Sequence, residues 1–260
     1  METLLTHPGV DPGWTVRWQP APAARLRLFC VPHAGGGAAV YRMWGKDLGP
    51  DVEVIAIRPP GRESRFTETP ISDMDTMVTD LVAAVQPLLD RPHAWFGHSM
   101  GAFIAFEACR RLRETGVAEP MALLVSGKEA PHRPTHVPPV HAASAAELRR
   151  RLRLLGGTPA ELLDDEAVLV RALPLLRADF ALTEQYEHRL GPPMDLPITV
   201  FGGTHDPMVA AGELEHWARY TTEAFGVRLM SGGHFFLHDH PEQMLALVYD
   251  ALARQLRRMS

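Results

Sequence analysis

The stretch His93-Ala94-Trp95-Phe96-Gly97-His98-Ser99-Met100-Gly101-Ala102 joins an apolar run to a helical pattern through a turn with two glycines. A G-x-S-x-G string alone is common, but between a strand and a helix it is typical of a sharp turn that presents its serine above a sheet. Strand and helix nearly touch at such a turn, so Gly97 and Gly101 must lack side chains. The context predicts that Ser99 is a nucleophile; the alternative is a surface Gly/Ser loop between two ordinary elements.

A serine nucleophile of this kind needs an acid and then a histidine, each after a later strand. Residues 227–230 are predicted as a short strand, and Ser231-Gly232-Gly233-His234 follows it. Because two glycines release the chain from the strand end, the imidazole of His234 can lean over the serine, and His234 is the predicted general base. Four other histidines near the same motifs are expected to be loop residues or to lie behind the reacting groups: His33, His98, His205 and His238.

The acid is predicted after the preceding strand, residues 198–201, which Gly202-Gly203-Thr204-His205-Asp206-Pro207 closes. Asp206 is expected to accept the Nδ1–H of His234, which fixes the tautomer and stabilises the imidazolium formed during attack. The alternative is an ordinary turn aspartate before a proline. Asp195 and Asp239 are the fallback acids.

A glycine-rich loop follows the apolar strand predicted over residues 26–31. In Pro32-His33-Ala34-Gly35-Gly36-Gly37 the glycines allow backbone N–H groups to turn toward a substrate oxygen without Cβ clashes. Acyl-transfer sites of this kind take one donor from this loop and one from the residue after the nucleophile, which predicts the N–H groups of Ala34 and Met100. Phosphate binding is the alternative, but the sequence has neither a G-x-G-x-x-G motif nor the Gly-Lys-Ser/Thr end of a P-loop.

The composition indicates a single catalytic domain over residues 1–260. A chain of 260 residues can bury a large core, and its net charge of −5 gives no reason to expect nucleic acid. The N-terminus has Glu2 and Pro8 instead of a basic region before an apolar stretch, and no run of about 18 apolar residues occurs, so we expect neither secretion nor a membrane span. Cys30 and Cys109 are expected to be buried free thiols, which fits the cytoplasm. A monomer is the default expectation.

Strand and helix patterns alternate along the chain, which predicts a mostly parallel sheet with helices on both faces. The predicted strands cover residues 15–18, 26–31, 52–57, 93–96, 121–126, 198–201 and 227–230. The predicted helices cover residues 41–48, 74–89, 102–115, 212–220 and 241–257. Pro241 suits the first position of the last helix, because an N–H there would have no acceptor within the helix and proline has no N–H.

The alternation is interrupted at about residues 131–193, where helix signals are dense. Ser144-Ala145-Ala146-Glu147 is predicted to be a capping box, Thr158-Pro159-Ala160-Glu161 a second one, and Pro174 is expected to break or kink the helical pattern of residues 164–186. An insertion at the carboxyl edge of the sheet is predicted to be a lid that excludes water and shapes an apolar acyl pocket. The alternative is a helical decoration away from the site.

These motifs resemble those of the type II thioesterases, free-standing editing enzymes associated with polyketide and nonribosomal peptide synthases. The resemblance covers nearly everything from about residue 26 to residue 256. Its most specific segments, beside the glycine loop and the Ser99 turn, are Arg58-Pro59-Pro60-Gly61-Arg62-Glu63-Ser64-Arg65-Phe66, Leu173-Pro174-Leu175-Leu176-Arg177-Ala178-Asp179-Phe180 and Gly233-His234-Phe235-Phe236-Leu237. Two departures occur: Pro59 stands where the family often has Leu, and Lys128-Glu129 where an Arg pair is common. The second borders the predicted lid and bears on substrate choice.

The resemblance implies an α/β-hydrolase fold and hydrolysis of acyl groups from the phosphopantetheine arm of acyl or peptidyl carrier proteins. Ser99 would attack the thioester with His234 as base and Asp206 as the acid, and water would release the acyl-Ser99 intermediate. No cofactor and no metal ion are expected, since the arm belongs to the carrier. The carrier is the implied partner and is usually acidic, so the stripe Arg149, Arg150, Arg151 and Arg153 is a candidate docking surface. A charge run on an amphipathic helix is more often its solvated face.

Three other functions stay open. An esterase of small esters or lipids would use the same Ser-His-Asp set. A cyclising thioesterase cut from a megasynthase is disfavoured, because the chain starts with Met1 and shows no carrier-domain remnant or long linker. A non-catalytic protein that binds acyl ligands is disfavoured by the intact Ser-Asp-His set and the glycine-rich loop.

Overall fold

A computed structural model describes residues 13–133 and 137–258. Its strands form one sheet in the order β1-β3-β2-β4-β5-β6-β7. Only β1 is antiparallel to its neighbour, and all other adjacent pairs are parallel. The predicted parallel sheet is therefore confirmed. The strands are β1 Thr15–Val16, β2 Leu26–Val31, β3 Val52–Ile57, β4 His93–His98, β5 Ala122–Ser126, β6 Ile198–Gly203 and β7 Phe225–Met230.

Helices cover both faces of the sheet, and each face has its own apolar core. The described α-helices are α1 Trp44–Asp47, α2 Met74–Val85, α3 Met100–Thr115, α4 Ala145–Leu155, α5 Ala160–Asp164, α6 Glu166–Glu184, α7 Phe236–Asp239 and α8 Pro241–Arg258. Side chains of α2 and α3 pack with Phe29, Trp95 and Val125 on one face. Side chains of α1 and α8 pack with Leu28 and Phe96 on the other. The sheet is thus covered on both faces, as parallel sheets require.

Four sequence-based predictions differ in detail from the structure. Residues 212–220 lie in a 3₁₀-helix, Ala211–Tyr220, and not in an α-helix. The helix predicted over residues 41–48 is only the single turn of α1, Trp44–Asp47, and a 3₁₀ turn, Ala38–Tyr41, precedes it. Helix α2 ends at Val85 and continues as the 3₁₀ turn Gln86–Leu88. The second capping box is wrong, because Pro159 occupies the N-cap of α5 and has no side-chain acceptor to offer.

The predicted break at Pro174 is also wrong, since α6 is continuous from Glu166 to Glu184. A proline within a helix removes one backbone hydrogen bond, here the one to the carbonyl of Val170. Val170 is 53% exposed, so water can bond that carbonyl. Leu169 and Leu176, on either side of Pro174, are buried in an apolar cluster, and this packing stabilises the helix on both sides of the proline.

Helices α4, α5 and α6 follow β5 and precede β6, and are called here the helical insertion (residues 145–184). The predicted capping box is confirmed at Ser144 and Glu147. The insertion has an apolar cluster of its own, formed by Val140, Leu148, Leu152, Leu163, Leu169, Leu176 and Phe180. Its last residue, Glu184, accepts hydrogen bonds from the backbone N–H groups of Val140 (2.8 Å) and His141 (2.9 Å) and so ties the incoming chain to α6.

Two smaller expectations concern the thiols and the membrane. Cys30 and Cys109 are both free and buried, as predicted. Among residues 13–133 and 137–258, no helix combines the length and the apolar character that a membrane crossing needs. Glu2 and Pro8, on which the expectation of no signal peptide depends, lie outside the described residues.

Candidate active site

Ser99 occupies a strained turn between the end of β4 and the start of α3. Its φ of 54° and ψ of −114° lie in a region that residues with a side chain rarely adopt, at a cost of about 1–3 kcal/mol. The backbone N–H of Ser99 donates to the carbonyl of Ser126 at 2.8 Å, which anchors the turn to β5. The side chain of Ser99 is partly exposed at the carboxyl edge of the sheet.

The two glycines of this turn are required by contact distances. A Cβ on Gly97 would lie 2.0 Å from the carbonyl oxygen of Gly101, and a Cβ on Gly101 would lie 2.2 Å from that of Val31. Real Cβ atoms do not approach other atoms so closely, and a backbone carbonyl has no free rotation with which to move away. The strand and the helix therefore lie as close together as the two glycines of the sequence pattern predicted.

The structure brings the three predicted side chains together at this edge. His234 Nδ1 lies 2.8 Å from Asp206 Oδ2, and His234 Nε2 lies 3.0 Å from Ser99 Oγ. The second carboxylate oxygen, Asp206 Oδ1, accepts hydrogen bonds from the backbone N–H groups of Met208 (2.8 Å) and Val209 (3.3 Å). This network gives Nδ1 the proton and leaves Nε2 to accept one from Ser99.

The loops that carry the acid and the histidine are joined directly. Backbone N–H groups of Thr204 and His205 donate to the carbonyls of Met230 and Gly232, each at 2.9 Å. A Cβ on Gly203 would lie 2.2 Å from the carbonyl oxygen of Gly233. Glycines at both strand ends thus allow the two loops to meet, and this contact fixes the spacing of Asp206 and His234.

The fallback acids lie elsewhere. Asp195 Oδ2 is 3.1 Å from Arg113 Nη2, and its side chain is 61% exposed. Asp239 lies in the short helix α7 beyond the histidine, where its Oδ2 approaches Gly232. Neither contacts His234 Nδ1, which is occupied by Asp206.

Two N–H groups of the glycine-rich loop, those of Gly35 and Gly36, are engaged by protein acceptors. Gly35 N–H donates to Asp179 Oδ2 at 2.7 Å, and Gly36 N–H donates to the carbonyl of His33 at 2.9 Å. Within the described residues the Ala34 N–H has no protein acceptor. Met100 is the first residue of α3, so its N–H has no acceptor within the helix and lies at the positive end of the helix dipole. Among residues 13–133 and 137–258, neither member of the predicted pair of donors, Ala34 and Met100, has a protein acceptor for its N–H.

Two residues of the Pro60-Gly61-Arg62-Glu63 segment hold this loop, and sequence reasoning did not assign them a role. Arg62 Nη1 donates to the carbonyl of Gly36 at 2.7 Å, and Arg62 Nη2 donates to Asp179 Oδ1 at 2.7 Å. Glu63 Oε1 accepts the N–H of Ala39 at 2.8 Å. The side chains of Arg62 and Asp179 are 3% and 0% exposed. Burial raises the pKa of the Asp179 carboxyl, and the Arg62 guanidinium opposes this rise.

Uncharged histidines surround His234. The His98 ring lies 5.1 Å from the His234 ring, and His98 Nδ1 is 2.9 Å from Ser126 Oγ. Burial lowers the pKa of His98 and also that of His33, which falls to about 3 with further effects of His238 and His234. The positive charge that forms on His234 during attack therefore has no charged imidazole beside it.

The helical insertion contacts the loops of the site. A Cβ on Gly35 would lie 2.9 Å from Leu176 Cδ2 of α6. The loop between α4 and α5 contacts Phe235, the residue after His234: a Cβ on Gly157 would lie 2.5 Å from the Phe235 ring. Lys128 Nζ, beyond the end of β5, lies 4.7 Å from the centroid of the Phe103 ring. The insertion thus contacts the glycine-rich loop and the loop that carries His234.

The arginine stripe is largely neutralised by acids of the insertion itself. Arg149 pairs with Glu166 at 2.8 Å, and Arg153 contacts Asp164. Arg151 is buried and donates to the carbonyl of Pro138 at 2.8 Å. These contacts engage three of the four arginines within the chain, which disfavours the stripe as a docking surface.

A cleft of about 530 Å³ opens between α2, α3 and the end of α6. Its walls include Glu107, Arg110 and Tyr186 but no residue of the Ser-His-Asp set. This cleft is therefore not the acyl pocket that the sequence predicted beside Ser99.

A mostly parallel sheet, a serine at a strand-to-helix turn, and an acid and a histidine after later strands define an α/β-hydrolase. The chain belongs to the thioesterase domain family, whose model matches residues 26–252. It is accordingly a thioester hydrolase, and the resemblance drawn from the sequence motifs is confirmed.

Similar proteins support the same assignment. The chain is 38% identical to the gramicidin S biosynthesis protein GrsT of Aneurinibacillus migulanus, over 94% of both chains. The solved structure of the type II thioesterase BorB from the borrelidin biosynthetic cluster is 38% identical and has a TM-score of 0.85, covering 95% of this chain and 99% of BorB. Linear gramicidin dehydrogenase LgrE of Brevibacillus parabrevis is also 38% identical, over 92% of this chain and 94% of LgrE. Its name denotes a redox enzyme, but this sequence has no G-x-G-x-x-G motif for a dinucleotide.

Proposed function

We propose that this thioesterase removes stalled or misprimed acyl groups from the phosphopantetheine arm of acyl or peptidyl carrier proteins. The observation that carries the proposal is the chain of hydrogen bonds from Asp206 through His234 to Ser99 at the strained turn. The biosynthetic context comes from relatives named for gramicidin S and borrelidin production. The pathway partner is thus a carrier protein of a polyketide or nonribosomal peptide synthase.

In the proposed first half-reaction, Ser99 Oγ attacks the thioester carbonyl carbon while its proton moves to His234 Nε2. The carbonyl oxygen becomes an oxyanion, which accepts hydrogen bonds from the N–H groups of Ala34 and Met100. The C–S bond then breaks, and His234 returns the proton to the leaving thiolate. Throughout, Asp206 stabilises the imidazolium through its Nδ1–H.

In the second half-reaction, water attacks the acyl-Ser99 ester with His234 as general base, and the free acid leaves. The residues of this chain supply every step of this hydrolysis, so the proposal includes no cofactor and no metal ion. Water must reach the acyl-enzyme, so the helical insertion acts as a mobile lid whose opening limits turnover. The buried free thiols Cys30 and Cys109 fit a cytoplasmic location, and the proposed species is a monomer.

Replacing the nucleophile tests the proposal. Ser99→Ala is expected to lower kcat by about 10⁶-fold against an acylated carrier protein, with the products followed by mass spectrometry over a panel of acyl groups. Ser231→Ala, an exposed serine in the loop before His234, is the matched control and should keep full activity. Residual hydrolysis by Ser99→Ala within tenfold of wild type would refute the assignment.

Two further measurements separate the alternatives. A fluorophosphonate labels Ser99 of an active hydrolase, whereas a non-catalytic acyl-binding protein stays unlabelled. Thioesters and oxygen esters of equal chain length distinguish the editing enzyme from an esterase, since only the editing enzyme should prefer the carrier-bound thioester.

A further inference from the structure

We propose that Arg62 and Asp179 are positioning residues that hold the oxyanion-binding loop in its active geometry and make that geometry depend on the helical insertion. The inference rests on the proposed function, since it concerns how the same site holds the negative oxygen. Neither side chain touches Ser99, His234 or Asp206 in the observed hydrogen-bond network. They act through the backbone of the loop.

The pair clamps the loop on the side that follows Ala34. Asp179 Oδ2 accepts the N–H of Gly35 at 2.7 Å, while Arg62 Nη1 donates to the carbonyl of Gly36 at 2.7 Å. The N–H of Gly36 donates to His33 across the turn. Both glycines thus have their polar backbone groups directed by fixed partners, and Gly35 is held at a φ of 75°. Glycines adopt more backbone conformations than other residues, so without these partners the backbone at Gly35 and Gly36 would be free to leave the observed conformation.

This clamp removes two N–H groups of the loop from those available to the substrate. Among residues 34–36, Asp179 occupies the N–H of Gly35 and the carbonyl of His33 occupies that of Gly36, so the N–H of Ala34 stays available beside them. Donors in an oxyanion site act strongly only when they are fixed before the negative charge develops. The contacts of Asp179 and Arg62 provide this fixation.

The clamp is assembled from distant parts of the chain. Arg62 lies in the loop after β3, the glycine loop follows β2, and Asp179 lies on α6 of the helical insertion. A displacement of α6 removes the acceptor of Gly35 N–H and also leaves Arg62 buried without its carboxylate. A seated insertion is therefore a condition for a formed oxyanion site, and this couples the lid to the chemistry.

A buried ion pair can also serve stability alone, and the chain offers a matched pair with which to test this. Arg27 Nε and Glu53 Oε2 lie 3.0 Å apart with side chains 3% and 2% exposed, on the same two strands that lead into the loops of Arg62 and the glycines. Glu53→Gln and Asp179→Asn each remove one carboxylate charge beside a buried arginine; Glu53 also lies 3.5 Å from Arg17, and Arg27 also contacts Asp90. Both are expected to lower the melting temperature.

The experiment compares these two variants at a temperature where circular dichroism shows both to be folded. For Asp179→Asn we expect kcat on an acylated carrier protein, and the rate of Ser99 labelling by a fluorophosphonate, to fall by about 10- to 100-fold with KM changed less than about threefold. For Glu53→Gln both rates should stay within about threefold of wild type. If Asp179→Asn fails to fold, Arg62→Lys takes its place. A lysine keeps the charge but lacks the planar fork whose two nitrogens bond the Gly36 carbonyl and Asp179 in a fixed geometry; its expected loss is about tenfold.

The inference is overturned if Asp179→Asn, or Arg62→Lys in its place, matches Glu53→Gln in both rates, or if its loss appears only in KM. That outcome is distinct from failure of the proposed function. Activity retained by Ser99→Ala removes the proposed function, whereas an inactive Ser99→Ala with a fully active Asp179→Asn removes only the role of the clamp.

Discussion

Replacing Asp206 by asparagine tests the candidate site through the chemistry of one atom. The two carboxylate oxygens have different partners: Oδ1 accepts the N–H groups of Met208 and Val209, and Oδ2 faces His234 Nδ1. Only an oxygen can accept from the two backbone N–H groups. The asparagine therefore keeps its oxygen on that side, and its NH₂ group faces His234.

The consequence is a change of tautomer. The amide NH₂ donates to His234 Nδ1, so the imidazole proton moves to Nε2, the atom that lies 3.0 Å from Ser99 Oγ. A protonated Nε2 cannot accept the proton of Ser99. We expect kcat to fall by about 10⁴-fold, which corresponds to about 5.5 kcal/mol of lost transition-state stabilisation. The fold should persist, since the backbone hydrogen bonds of the loop are kept.

The assay is steady-state hydrolysis of an acylated carrier protein at pH 7–8, with the melting temperature measured in parallel. Asp195→Asn is the control, because its carboxylate is exposed and pairs with Arg113 away from the site; it should change kcat less than about twofold. A kcat of Asp206→Asn within tenfold of wild type would show that another group orients His234.

Two further changes test the fold around the site. Gly97→Ala should abolish the native fold or sharply lower the melting temperature, because the new Cβ would lie 2.0 Å from a backbone carbonyl, while Gly212→Ala, with nothing within 4 Å, should change it little; equal melting temperatures would contradict this. Burial lowers the pKa of His93 to about 4. Between about pH 4 and 6.5 this histidine is therefore protonated more in the unfolded chain than in the folded one. The unfolding free energy consequently rises with pH in that range, by at most about 1.4 kcal/mol per pH unit. His93→Gln should remove this share of the slope in urea unfolding at pH 4.5, 5.5 and 7, and an unchanged slope would refute it.

The sequence allowed the strands and the reacting residues to be predicted because their signals are local. Strands β2 and β3 were predicted with their observed bounds, since each is an apolar run with one charged residue, Arg27 or Glu53, that ends at a proline or an arginine-proline pair. Ser99, Asp206 and His234 each follow a predicted strand and adjoin glycines, and parallel strands bring their carboxyl ends to one edge. Local pattern and topology were sufficient to bring these side chains together.

The clamp on the oxyanion loop could not be predicted in this way. Arg62 and Asp179 are 117 residues apart, and neither the arginine of one loop nor the aspartate of one helix indicates its partner. The only signal was that both lie in the segments most specific to the family. Likewise, the continuity of α6 through Pro174 depends on packing of Leu169 and Leu176, which a local helix-breaking rule does not include.

The separate apolar cluster of the helical insertion has a consequence for how this enzyme can change. Because Leu148, Leu152 and Leu163 pack within the insertion and not in the two clusters beside the sheet, substitutions there can change the insertion without touching the Ser99–His234–Asp206 network. An insertion transplanted from another relative would meet one strict requirement. It must place a carboxylate at the position of Asp179, because without one the proposed clamp cannot hold the glycine-rich loop.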